Sequence, residues 1–428
     1  MFPKIPLPSI LLIISLISLP FCFGSHIHHK SLNAPKHEHF GLMRRSHRAS
    51  KVPSSSNQAT LSVDDYGAKA SGNDDSEAFM NAWKEACSSG STLVVPENKV
   101  YHLKPVKFSG PCQPDTAFMV YGTIMAWSDM SAYEEDRRFW IQFVGIKNFR
   151  VDGAGKGTID GNGKIWWQHS CKTNKNLPCK DAPTAVTFSQ CNNLIVQNLK
   201  FQDPQQMHMN FDQSVNVRVS SLIVQAPGNS PNTDGIHVTG TQNMFISNSV
   251  IGTGDDCISI VSGSSNVRAT DITCGPGHGI SIGSLGADDA EAEVSNVVVD
   301  GATLIGTMNG VRIKTWQGGS GYAKGIKFMN IDMRNVSNPI IIDQNYCDEK
   351  QPCHQQGSAV QLSDVVYQNI RGTSASEVAI KFDCSQTEPC RDITVEDVFL
   401  KTQGRGETVA TCDNVRFVNR GNIVPQCS

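Results

Sequence analysis

At 428 residues the chain has room for two or three average domains or for one large solenoid or barrel, and composition alone does not choose between them. Charged residues make up only 18 % beside 36 glycines, a balance that suits many tight turns and argues against long exposed helices. A formal net charge of -3 excludes the strongly basic surface that a nucleic-acid or acidic-membrane partner requires, so recognition of any anion has to be local.

The chain opens with Lys4, an apolar run from Ile10 to Leu19 and the small residues Gly24 and Ser25, the layout of a secretory signal peptide cleaved near Gly24. That run is about half of the roughly 20 apolar residues that a membrane-spanning helix needs, and no other segment approaches such length. Residues 25–60 mix His26, His28, His29, His37 and His39 with Arg44, Arg45 and Arg48 and have no apolar periodicity. They read as a disordered leader or propeptide, with Arg44-Arg45 as a candidate processing signal. Residues 61–428 are then expected to form one catalytic domain.

After Asn73-Asp74-Asp75-Ser76, apolar Phe79, Trp83 and Ala86 recur at helical spacing. The pattern predicts one short amphipathic helix with Ser76 as N-cap, suited to closing the end of a stacked repeat. Beyond about residue 140 a stem of asparagine and alternating β-branched residues returns every ~20 to 30 residues. Copies begin at Asn193, Asn216, Asn243, Asn266, Asn296, Ile326, Val365 and Ile393. Each is a short period-2 strand bounded by turn residues, and one such unit cannot bury its apolar face alone, so the units must stack. Leucine-rich repeats would carry regular leucines and propellers would carry hairpin signals. Neither is present, and the uneven spacing suits an all-β parallel β-helix, whose coils take insertions at their turns. Gly153-Ala154-Gly155-Lys156-Gly157 has no helix pattern after it and reads as coil turns rather than a phosphate loop.

Fourteen cysteines point to an oxidising compartment. Loss of Cys22 with the signal leaves an odd number, and Cys191, without a near neighbour, is the expected free thiol. The expected local pairs are Cys87 with Cys112, Cys171 with Cys179, Cys257 with Cys274, Cys347 with Cys353, Cys384 with Cys390 and Cys412 with Cys427. Their spacings do not make a zinc site. Asn335-Val336-Ser337 is a glycosylation sequon, so Asn335 should lie at the surface.

Neighbouring parallel strands lie about 4.8 Å apart, so residues one coil apart become lateral neighbours. Asp234 falls in Asn232-Thr233-Asp234, Asp255 and Asp256 follow in Gly254-Asp255-Asp256 after 21 and 22 positions, and His278, in Gly277-His278-Gly279, comes 22 positions after Asp256. Arg312 and Lys314 lie one longer coil on, and Tyr346 about one more. Three such carboxylates repel one another, which raises at least one pKa and equips the cluster for acid/base chemistry on a glycosidic bond. Isolated turn aspartates, or a calcium site, are the plain alternatives. Arg312 and Lys314 argue against a metal and for a uronic acid carboxylate. Consecutive residues of a flat strand point to opposite faces, so Asp255 and Asp256 can both face a cleft only at a strand end or bulge.

In these four ordered motifs, Asn232-Thr233-Asp234, Gly254-Asp255-Asp256, Gly277-His278-Gly279 and Arg312-Ile313-Lys314, the chain resembles glycoside hydrolase family 28, the polygalacturonases, and within it the secreted plant branch. The resemblance covers about Val63 to Cys427. It implies a single-stranded right-handed parallel β-helix of the pectin lyase type and metal-free, cofactor-free, inverting hydrolysis of α-1,4-linked galacturonate in pectin. It further implies Asp255 as general acid, Asp234 and Asp256 as holders of the attacking water, and His278 as a partner of the acid. Arg312, Lys314, Tyr346 and Asn232 would bind substrate. The implied enzyme is a secreted monomer of the cell wall, with a polygalacturonase-inhibiting protein as a partner to test. Internal (endo) cleavage is the main expectation. An exo-acting or rhamnogalacturonan-directed hydrolase, a calcium-dependent lyase on the same fold and a non-catalytic pectin-binding solenoid are the alternatives.

Overall fold

A computed structural model describes residues 59–348, 353–404 and 406–427; the expected signal segment, nearly all of the leader and Cys22 lie outside them. The organising unit is a sheet of eleven parallel strands, one per coil. In chain order they are β1 (Val106–Ser109), β2 (Phe139–Val144), β3 (Thr184–Ser189), β4 (Met209–Asp212), β5 (Ile236–Thr239) and β6 (Ile258–Ile260). They continue as β7 (Ile280–Leu285), β8 (Asn309–Trp316), β9 (Asn338–Tyr346), β10 (Val378–Asp383) and β11 (Val409–Asp413). The repeat copies read from the sequence lie in a second, nineteen-stranded parallel sheet on the remaining faces. The whole is a right-handed parallel β-helix.

Register explains why the pattern folds this way. One column of side chains runs inward through Phe108, Phe143, Phe188, Phe211, Val238, Ile260, Ile282, Ile313, Ile342 and Phe382, each at the Cα position of the next. Phe143, Phe188 and Phe211 stack with centroids 5.2 and 5.1 Å apart and ring planes within 12°. Because strand side chains alternate, the neighbouring column points outward: Asn210, His237, Ser259, Ser281, Arg312.

The stem asparagines have a second use. Asn148, Asn193, Asn216, Asn243, Asn266 and Asn296 all hold left-handed backbone, a conformation asparagine tolerates at a corner. Their amides form a ladder, each donating to the one before at 2.8 to 3.2 Å. The ladder satisfies side chains that a turn would otherwise leave competing with the backbone.

The predicted helix is present as α1 (Ser76–Ser89) and buries Phe79, Trp83 and Ala86 against the first coils. The N-cap is Asp75 rather than Ser76, because Ser76 is drawn elsewhere: its hydroxyl donates to Asp74 and accepts from the Lys104 amide. A second short helix, α2 (Lys164–Gln168), was not foreseen; its five residues give too little periodicity to read. All six expected disulfides are present, and Cys191 is buried and unpaired, its thiol pushed up to about 11 by burial. Gly153–Gly157 forms turns, and Asn335 is exposed.

Candidate active site

The acids lie in the turns that enter β5 and β6, on the outer side of the eleven-stranded sheet. Two motif glycines are required by backbone approach. A Cβ on Gly254 would stand 2.0 Å from the Ser230 carbonyl, and one on Gly279 would stand 2.2 Å from that of Asn309, besides the left-handed φ there. Thr233 ties the two acid turns together by accepting from the Gly254 amide at 2.9 Å. The Cys257–Cys274 disulfide anchors the residue after Asp256 to the end of a strand in the second sheet.

Asp255 and Asp256 precede β6 rather than lying within it, so the alternation of a flat strand does not bind them. Asp255 lines a groove of about 1060 Å³ together with Asn232, Asp234, His278, Arg312, Lys314 and Tyr346. Asp256 departs from the expectation that both acids open on the cleft. It is 1 % exposed and lies beneath the cations, accepting from Ser281 Oγ at 2.8 Å, Arg312 at 2.9 Å and Lys314 Nζ at 3.1 Å. It does not turn into the core: two of these partners belong to the outward column. Arg312 and Lys314, expected to await a substrate carboxylate, are thus both partnered by Asp256. Each still has N–H groups to offer the groove, and Lys314 also stands 5.3 Å over the Tyr346 ring.

The electrostatics divide the acids. Burial, then the negative charge of Asp255, holds the Asp234 carboxyl above the usual range. Burial alone would also raise Asp255. The hydrogen bond from His278 and the charges of His278 and Lys314 outweigh it, and Asp255 sits below the usual range. The same bond, Nδ1 to Oδ1 at 3.1 Å, raises the imidazole of His278. The His278 amide meanwhile donates to the Asp255 carbonyl at 2.7 Å.

Asp255, Asp256 and His278 also form the one set of three potential metal ligands found among the described residues, with atoms within 4.8 Å of one another. Two fixed cations already occupy Asp256, so a divalent ion would have to displace or repel both. The donor set fits an ion-pair cluster better than a metal centre.

Two histidines beside Asp234 carry no role in the sequence reading. His237, quoted only as the end of a motif, lies on the outward column with Nδ1 3.9 Å from Asp234 Oδ2, within electrostatic reach. His208 is wholly buried behind Asp234, its ring nitrogens 3.0 Å from the Asp234 carbonyl and 3.1 Å from that of Gln225. Burial pushes its pKa down to about 4, and a neutral ring, with one N–H, can donate to one of these two carbonyls. The signal for His237 was its three-residue offset from an acid; a lone His208 in an apolar repeat gave none.

The model of a family described as "Glycosyl hydrolases family 28" matches residues 87–424. Polygalacturonase QRT2 of Arabidopsis thaliana is 53 % identical over the whole of both chains. A polygalacturonase of Persea americana is 58 % identical over 85 % of this chain and 78 % of its own length. Among solved structures, the endo-xylogalacturonan hydrolase of Aspergillus tubingensis superposes with a TM-score of 0.71 at 23 % identity, covering 85 % of this chain and all of the other, a likeness of fold.

Proposed function

Because the chain belongs to glycosyl hydrolases family 28, we propose that it is a secreted polygalacturonase cutting internal α-1,4 bonds between galacturonates of pectin, in the cell wall and outside the cell. The observation that carries this reading is the meeting of Asp234, Asp255 and His278 with Arg312 and Lys314 on one groove. Acid/base groups for a glycosidic oxygen stand beside cations for a uronate carboxylate. Six disulfides among the described residues support export.

In the proposed mechanism Asp255 protonates the leaving oxygen while Asp234 and Asp256 orient and deprotonate water. The galacturonate carboxylate takes the N–H groups that Arg312 and Lys314 do not spend on Asp256. Tyr346 and Asn232 line the same groove and hold the sugar. Pairing with His278 favours the Asp255 carboxylate, so the donor role asks the negative charge of bound substrate to lift its pKa. The raised carboxyl of Asp234 supports a second assignment, with Asp234 as donor. The alkaline limb of the rate profile, where the donor loses its proton, separates the two: it disappears in whichever of Asp234→Asn and Asp255→Asn lacks the donor, and that variant recovers activity on a substrate with a good leaving group.

Asp255 and Asp256 offer atoms within 4.8 Å of each other, shorter than the roughly 6.5–9.5 Å usual for inverting pairs. Inversion therefore rests on the family and is tested by the anomer first released. Internal cleavage is supported by the groove, whose lining extends from the acids toward both earlier and later coils, from Lys172 to Asp348. The deciding experiment digests polygalacturonic acid with EDTA present and follows viscosity beside reducing ends. A hydrolase acting internally drops viscosity early and forms no unsaturated product. A lyase would stop with the chelator, and an exo-acting enzyme would release ends with little change in viscosity.

A further inference from the structure

In the nineteen-stranded sheet, paired strands from Lys147–Asp152 to Ser320–Val336 carry one outward position through successive coils as a row. In order it holds Arg150, Ile195, Arg218, Phe245, Arg268, Val298 and Lys327, each at the Cα position of the next. Cationic and apolar side chains alternate without a break, and no acid falls in the row. At about 4.8 Å per strand the charges repeat every roughly 9.6 Å along a row of roughly 29 Å. The four cations are exposed, and Phe245 is 38 % exposed between two of them. Arg268 is held by Asp300 at 3.0 Å, whereas Arg150, Arg218 and Lys327 form no ion pair among the described residues. A sheet face gains stability by setting cations opposite acids on the next strand. Here Arg218 and Arg268 each have an apolar residue opposite on both sides, so the arrangement is not one of cross-strand ion pairs. The chain as a whole carries a net charge of -3, which makes the stripe a local excess. Two residues before each of its first six members stands a rung of the amide ladder, Asn148, Asn193, Asn216, Asn243, Asn266 and Asn296. From Asn193 onward each rung spends one amide N–H on the rung before it and keeps a second. Ladder and row together line a groove of about 690 Å³ through Asn193, Ile195, Asn216, Arg218, Asn243 and Phe245, none of which lines the groove of the acids.

We propose that this row is a second, non-catalytic site for polygalacturonate, which lies along the stack of coils with carboxylates on Arg150, Arg218, Arg268 and Lys327. The apolar faces of its sugar rings rest on Ile195, Phe245 and Val298, and its hydroxyls accept from the spare N–H groups of the ladder. The inference rests on the polygalacturonase reading for the identity of the polymer. A linear polymer with one carboxylate on every sugar matches a straight, narrow row of repeating cations. An acidic bilayer would ask for a broad apolar and basic face, whereas the next outward row, Ser220, Ser247 and Thr270, is short and neutral. Each contact is exposed, hence weak and screened by salt. Several on one chain retain the enzyme on the polymer without fixing it, and raise the effective concentration of substrate at the catalytic groove.

The test measures retention on immobilised polygalacturonate in an Asp255→Asn background, which prevents digestion of the matrix. It compares the unaltered row with Arg150→Gln/Arg218→Gln, with Arg150→Lys/Arg218→Lys, and with Lys69→Gln/Lys84→Gln, a charge-matched control at the first coils. The glutamine pair in the row should bind about two- to thirtyfold more weakly, the range that two exposed ion pairs support. The lysine pair and the control should stay within about twofold of the unaltered row, the lower end of that range. With Asp255 restored, kcat and KM on a galacturonate trimer, which read the catalytic groove, should not move in the glutamine pair. Equal retention of the glutamine pair and the unaltered row, or retention of neither, overturns the second site. An equal loss in the control makes the effect one of net charge and overturns it too. A loss seen on phosphatidylserine vesicles but not on polygalacturonate would make the face a lipid contact, and the proposal would fall. Because retention is scored without turnover, a parent that hydrolyses no polygalacturonate removes the activity proposed above and leaves this comparison to be decided on its own.

Discussion

The coils around β2 to β4 and those around β5 to β8 share one backbone plan and use it in opposite ways. In the first, the inward column is aromatic, with Phe143, Phe188 and Phe211 stacked, and the outward positions Gln142, Thr187 and Asn210 are neutral. In the second, the inward column narrows to Val238, Ile260, Ile282 and Ile313, while the outward side carries His237, Ser281 and Arg312 beside the acids. Period-2 alternation allows this independence: one face can be rebuilt for chemistry while the other goes on packing. The contrast is not absolute. Asp256, with both cations on it, is as buried as the phenylalanines, so the active region has a structural centre of its own.

The largest expected effect lies in the second region. Asp255→Asn should lower kcat by about 10²- to 10⁴-fold while thermal unfolding stays close to the parent's. Rates within a few-fold of the parent would remove the acid from Asp255. In the first region, Phe188→Ala should cost about 3–5 kcal/mol in denaturant titrations by opening a cavity in the stack, with activity per folded molecule retained. Asp256→Asn sharpens the comparison, because it removes the charge that pairs with buried Lys314 and partly buried Arg312 and should cost a similar ~3–5 kcal/mol on top of lost turnover. A variant of Asp256 as stable as the parent would mean that the polar centre is purely catalytic.

The smallest effect depends on pH. The folded carboxyl of Asp234 is raised, so the native state holds that proton more tightly than the unfolded chain. Its contribution to stability is full below the usual carboxylate pKa and is lost as pH rises through the folded value. Asp234→Asn should therefore match the parent at acid pH and become the more stable protein toward neutrality, as urea midpoints across pH would record. A variant less stable than the parent at neutral pH would reverse the sign assigned to this acid.

Much of this was legible in the residues. Period-2 stems with an asparagine at each corner give stacked parallel strands, because only stacking buries their apolar sides. Spacings near 22 then bring Asp234, Asp255, Asp256 and His278 to one face. Cysteines close in sequence paired locally. The N-cap moved from Ser76 to Asp75 because the Ser76 hydroxyl bonds Asp74, two residues back, and the Lys104 amide, 28 residues on, which no local pattern reveals. α2 was too short to read, and His208 acts through backbone carbonyls of other coils.

The sequence by itself determined the period, the corners and which residues share a coil face, since these follow from alternation and from the stacking of neighbouring strands. Tertiary structure alone decided the depth of each acid, the capture of Arg312 and Lys314 by Asp256, and the meeting of Lys172 with Asp348 across 176 residues. Those outcomes depend on how far turns and disulfide-closed loops project from the sheet and on which opposite charge each side chain reaches first, distances that a linear spacing does not encode.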